Sequence, residues 1–165
     1  MKQQDAVDRV LEQWQRERPD LDRSPMAVVG RISRLAALLD RELDVVFERY
    51  GLTGGEFDVL ATLRRSAPDE GLTPTDLAQS TMVSTGGMTK RLDALERRGL
   101  IRRDPCEDDR RSIFVVLTPQ GRALIDEAVV AHVENEERLL AGLTKRDRDR
   151  LAGLLRALAL GLDRA

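Results

Sequence analysis

The 165-residue chain carries one cysteine, one histidine and few aromatic side chains, which make up 3% of it. One cysteine excludes an intramolecular disulfide. His132 has no cysteine or second histidine to share a zinc ion with, so it reads as a helix-packing residue. With so few aromatics, leucine, valine and alanine must build the core. No apolar run approaches the ~20 residues that a bilayer-spanning helix needs. The opening MKQQDAVDRVLEQWQRERPD is charged throughout, unlike a secretory signal, so the expectation is a cytoplasmic protein. No nucleophile–base pair or carboxylate dyad stands out, and Gly54-Gly55 lacks the Lys-Ser/Thr of a phosphate-binding loop. The chain therefore reads as a non-enzyme without a cofactor, one domain or one domain plus arms.

What is present is concentrated between Thr73 and Leu117, TPTDLAQSTMVSTGGMTKRLDALERRGLIRRDPCEDDRRSIFVVL. Thr73 can cap a helix whose first residue is Pro74, with Asp76 where a capping box places an acid. Ser84 can cap a second helix, which Gly99 can end in a left-handed residue. Met88, Leu92 and Leu95 form one buried stripe, while Ser84, Thr85, Gly87, Thr89 and Lys90 lie opposite and are small, polar or basic. Two short strands around a charged tip follow. Helix, turn, helix and hairpin in this order predict a mainly α fold with a small β-hairpin wing. That is a winged helix-turn-helix, whose second helix enters a major groove of double-stranded DNA while the hairpin reaches the flanking backbone or minor groove.

Gly86 and Gly87 each cost a helix about 1 kcal/mol relative to alanine. Bare backbone at a helix N-terminus lets phosphate or base edges approach its N–H groups; local flexibility or tight packing would use glycine equally well. Either way, few long side chains are available to read bases, so much of the affinity should be electrostatic. The chain as a whole has a net charge of −2. Residues 89–103 hold six basic residues against Asp93 and Glu96, a net +4, leaving −6 for the rest. A basic face on an acidic protein suits specific duplex binding, because distant acidic faces disfavour non-specific sticking.

Apolar residues recur at three- and four-residue steps on either side of this block. Residues 26–50 carry Val29, Ile32, Leu35, Leu39, Leu43, Val46 and Tyr50. A helix opened by Pro119 places Leu124, Ala128, Val133, Leu139 and Leu143 inward, and one capped by Thr144 carries Leu151, Leu154, Leu155, Leu158 and Leu162. These stretches have more apolar surface than one small reading head can cover. Residues 26–50 and 119–163 are therefore read as the helical dimerisation region of a homodimer, with 53–118 as the DNA-binding domain. Two-fold symmetry asks for a palindromic operator.

The segments LTGGEFDVLATLRR, LTPTDLAQSTMVSTGGMTKRLDALERRGLIRR and DDRRSIFVVLTPQGRAL, with the leucine-rich C-terminal helices, resemble the MarR family of bacterial transcriptional regulators over about residues 26–163. The resemblance implies a homodimeric repressor that loses operator affinity when a small ligand binds. The family's wing carries Asp-x-Arg, matched by Asp109, Arg110 and Arg111, so its minor-groove arginine falls on Arg110 or Arg111. Residues 1–20 add a short helix with Val7, Val10, Leu11 and Trp14 on one face, closed by Pro19. This addition resembles the urate-responsive branch of the family, in which a first helix lays a tryptophan over a ligand pocket. Its ligand residues, a tryptophan, an aspartate and two arginines, correspond here to Trp14, Asp58, Arg91 and Arg103.

The chemistry of that quartet is coherent. Two guanidinium groups can fork onto a planar anion while an indole face stacks on it, and Asp58 can neutralise one arginine in the empty state. Arg91 belongs to the second helix, so drawing it towards a ligand would shift that helix relative to DNA. Urate is the first ligand to consider; citrate- or aconitate-like polycarboxylates could use the same arginines. Each residue also has a plainer role, Trp14 as a packing anchor, Asp58 as a solvated helix residue and Arg91 as a phosphate contact. Two alternatives remain at this stage. One is a redox-responsive regulator using Cys106, although Glu107, Asp108 and Asp109 should raise that thiol's pKa. The other is a helical protein–protein interaction module whose hairpin serves as a docking arm.

Overall fold

The computed structural model describes residues 4–66, 71–81, 87–105 and 113–164. They form seven helices and one antiparallel hairpin, divided between two compact units, residues 1–45 and 46–165. Among the described residues no helix is long and apolar enough to cross a membrane.

The first unit holds α1 (Ala6–Glu17) and most of α2 (Ser24–Arg49). Asp5 caps α1 in a reciprocal capping box with Asp8, satisfying two otherwise orphaned N–H groups. Arg31 of α2 binds both acids, at 2.8 Å to Asp5 and 2.6 Å to Asp8. Val7 is buried and packs against α2 at Gly30. An open apolar cleft of about 560 Å³ remains between the two helices, lined by Val10, Leu11, Met26 and Val29 among others. Trp14 is outside that lining and 41% exposed.

The second unit is the reading head with its C-terminal helices. It comprises α3 (Gly54–Ser66), α4 (Pro74–Ser80), α5 (Met88–Arg97), β1 (Ile101–Pro105), β2 (Ile113–Leu117), α6 (Pro119–Leu139) and α7 (Lys145–Leu162). Thr73, Thr118 and Thr144 cap α4, α6 and α7, each accepting from the backbone N–H three residues on. The strands pair with Ile101 opposite Leu117 and Pro105 opposite Ile113, and Leu72 adds a two-hydrogen-bond bridge to Val115. Val59, Leu60, Leu63, Leu77, Leu92, Leu95 and Val115 are all but sealed from solvent, so α3, α4, α5 and the hairpin share one core. His132 packs as expected: its ring lies 5.4 Å from that of Phe47 and 4.9 Å from that of Phe57.

Two expectations change. Val133, placed inward from the sequence, is 55% exposed; the buried residues of α6 are Gly121, Ile125 and Ala128, all in its first half. Beyond them α6 has no buried residue, so periodicity there reports an apolar stripe but not an inner face. The second helix of the reading head begins at Met88 rather than after Ser84. Gly87 occupies its cap position in the left-handed region, φ +83°, which no right-handed helical residue adopts. Among the described residues a side chain at Gly87 would meet nothing within 4 Å. Gly99, φ +69°, ends the helical run as anticipated. Ser84, Thr85 and Gly86 lie outside the described residues, as do Cys106, Asp109, Arg110 and Arg111.

Candidate functional site

Helix α5 is divided as its sequence demands. Met88, Leu92 and Leu95 are buried, whereas Thr89 and Lys90 are exposed on its opening turn. The helix is anchored by apolar contact on one side and presents polar and basic groups on the other, as a groove-binding helix must.

Its arginine Arg91 takes a definite direction. The side chain lies across α3 at Gly55, so closely that a Cβ there would stand 2.5 Å from Nε and 3.0 Å from Cζ. Only a residue without a side chain leaves that space. Asp58 is three residues further along α3 and so shares the face of Gly55. The Asp58 side chain is 12% exposed, which makes it a buried carboxylate rather than the solvated residue of the plainer reading, and Nη1 of Arg65 stands 3.9 Å from it. Arg65 also donates to the Ser80 carbonyl at 2.8 Å, tying the end of α3 to the end of α4. At the other end of α3, Glu56 accepts from the Thr53 N–H at 2.9 Å and has Arg98 at 3.7 Å.

Arg103 projects from β1 and is engaged by two acids of α5: Nη2 donates to Asp93 at 2.7 Å and Nη1 to Glu96. The Asp93 hydrogen bond is the main reason its guanidinium is held above the usual arginine range, against partial desolvation. Arg102, next along the strand, pairs instead with Asp104 at 2.8 Å. The carboxylates on Arg103 are therefore those of α5, a pairing not foreseen from the sequence, where Asp58 was the acid expected to neutralise an arginine. The signal in the sequence was partial: Asp93 and Glu96, spaced i, i+3, share one face of α5, but nothing in that spacing says which arginine they meet.

Asp58, Arg91 and Arg103 all belong to the second unit, Arg91 against α3 and Arg103 on Asp93 and Glu96, whereas Trp14 belongs to the first. Among the described residues no group of acidic, histidine or cysteine side chains is arranged to hold a metal ion.

A capped helix, a glycine-started second helix with an exposed basic face and a two-stranded hairpin behind it define a winged helix-turn-helix DNA-binding protein. Comparison with known proteins sharpens this. The MarR family model matches residues 50–112. The chain is 44% identical over 149 residues to the HTH-type transcriptional regulator PecS of Dickeya dadantii, covering 90% of each chain. It also superposes on a MarR family transcriptional regulator from Streptomyces coelicolor in complex with DNA, with TM-score 0.76, 26% identity and coverage of 86% and 89%. A similar match is BpsR of Bordetella bronchiseptica, whose DNA binding is regulated by 6-hydroxynicotinic acid, with TM-score 0.67, 27% identity and coverage of 79% and 92%. The chain belongs to the MarR family and is a DNA-binding transcriptional regulator.

Proposed function

We propose that this regulator is a homodimeric repressor that binds a palindromic operator and releases it when a small planar anion, urate in the first instance, binds beside α5. The observation that carries the reading is the seat of Arg91. A cation of the DNA-contacting helix lies over Gly55 on the face of α3 that also bears Asp58. An anion taken up there acts directly on the helix that reads DNA. Arg103 is the second guanidinium that the family resemblance assigns to this site; two such groups can grip a flat anion by two forks. Trp14 joins this set through the family resemblance alone. That BpsR answers to 6-hydroxynicotinic acid, another small flat anion, agrees with the class of ligand.

The DNA-facing residues of the proposal are Thr89 and Lys90, with Ser84, Thr85, Gly86, Gly87, Arg110 and Arg111 contributed by the sequence. Self-association rests on the leucines of α7. Leu151, Leu154, Leu155, Leu158 and Leu162 are 41–68% exposed, more apolar surface than a monomer ordinarily leaves in water. Titrating urate and citrate separately while following Trp14 emission, and repeating with Arg103→Ala, tests the ligand reading. Saturable quenching that is lost in the variant supports it; quenching that persists sinks the pocket assignment, and no response to either anion removes the ligand class.

A further inference from the structure

The guanidinium of Arg103, which the proposed anion site requires, is already occupied. Asp93 and Glu96 stand one turn apart on α5 and each takes one Nη of an arginine that belongs to the strand β1. The side chains are 26%, 52% and 38% exposed for Arg103, Asp93 and Glu96. Pairs this wet are individually weak and open without unfolding anything, whereas a fully buried pair would not give up its partner. They also join the two parts of the reading head that face DNA, the second helix and the hairpin.

We propose that Asp93 and Glu96 act as built-in competitors for Arg103, latching β1 to α5 when no ligand is bound and setting the anion concentration at which the latch opens. The proposal rests on the anion site above and adds its regulation. A ligand gains the Arg103 fork only from molecules whose latch is open, so its apparent affinity falls in proportion to the open fraction. Opening removes the polar tie between β1 and α5 and leaves their shared apolar core in place. Asp104 is an internal control: it lies one residue from Arg103 yet is engaged by Arg102.

The test is calorimetric titration of urate into the full-length protein without DNA, for the wild type, Asp93→Asn, Glu96→Gln, the double variant and Asp104→Asn. Neutralising both competitors should tighten urate binding by about three- to tenfold, the range expected from two weak, partly exposed pairs. Each single variant should show part of the gain, and Asp104→Asn should stay within about twofold of the wild type. Acids that merely hold the fold together would give weaker binding when removed, not tighter. Unchanged or weaker binding in the double variant, with wild-type binding intact, overturns the latch. An equal gain in Asp104→Asn also overturns it, because the effect is then a general field. A wild type that takes up no urate overturns the anion site and the latch with it, so the two failures read differently. If the double variant does not fold, as followed by its thermal transition, the single variants carry the same comparison.

Discussion

Replacing Gly55 by alanine isolates the contact between α3 and the arginine of the DNA-reading helix. Alanine in place of glycine in a helix gains up to about 1 kcal/mol, less here because Gly55 lies in the first turn. Against this stands a Cβ placed 2.5 Å from Nε and 3.1 Å from Cδ of Arg91. The atoms in the way are the outer part of a flexible side chain, so the guanidinium swings aside at about 0.5–1.5 kcal/mol if it is forced off a rotamer. The two terms nearly cancel, and for a chain of 165 residues the thermal midpoint should move by no more than about 4 °C. Function should move further. Arg91 leaves the face that carries Asp58, and affinity for a duplex selected by the wild-type protein from a random library should change by about fivefold or more, the scale of a 1 kcal/mol coupling. In an Arg91→Ala background the same glycine substitution should do nothing. Fluorescence anisotropy on the four proteins closes this double-mutant cycle. Equal effects in both backgrounds, or a midpoint lowered by 10 °C, would refute the reasoning, because Gly55 would then matter to the fold and not through Arg91.

Other expectations are simpler to check. Leu95→Ala removes a fully buried side chain at the junction of α5 and the hairpin, which should cost about 2–5 kcal/mol; urea unfolding measures it, and a loss below about 1 kcal/mol would mean that the site is not a packed core. Leu154→Glu with Leu158→Glu places charges on the exposed stripe of α7. Sedimentation should change from twice the mass of the chain to once, with helicity by circular dichroism retained. Acid should loosen α1 from α2. The Asp5 carboxyl is held below its ordinary range, chiefly by the Asp8 backbone N–H and further by Arg31. Its stabilising effect is therefore complete above the unfolded value of about 3.9 and is lost as pH falls through the lower folded value. Cleavage by pepsin within residues 6–17 should rise across that window, and in Asp5→Asn it should already be high above it.

The DNA-reading block was the most legible part of the chain. Thr73, Pro74 and Asp76 mark the start of α4 in the residues themselves, because a cap is a local hydrogen bond that needs no distant partner. Gly99 and the apolar stripe Met88, Leu92 and Leu95 are legible for the same reason: each depends on the conformation or the period of one helix. The start of α5 was less so. Ser84 is a good capping residue by type, but Gly87 in the left-handed region sets the boundary at Met88. The stripe on α6 misled at Val133, because a period identifies a face without saying whether anything covers it.

The candidate site divides along the same line. Asp58, Arg91 and Arg103 were identified from residue type and family resemblance: guanidinium groups attract an anion, and a carboxylate can neutralise one of them in its absence. Their partners were decided by tertiary structure. That Arg91 rests on Gly55, that Asp58 is buried with Arg65 near it, and that Arg103 is taken by Asp93 and Glu96 depend on how α3, α5 and β1 cross. The sequence by itself determined the helices, their caps, the hairpin and the charge of the reading head, since these follow from local hydrogen bonding, periodicity and counting. Which acid holds which arginine only the fold could decide, because a salt bridge is made by proximity in space and several acids in the chain were equally eligible by type.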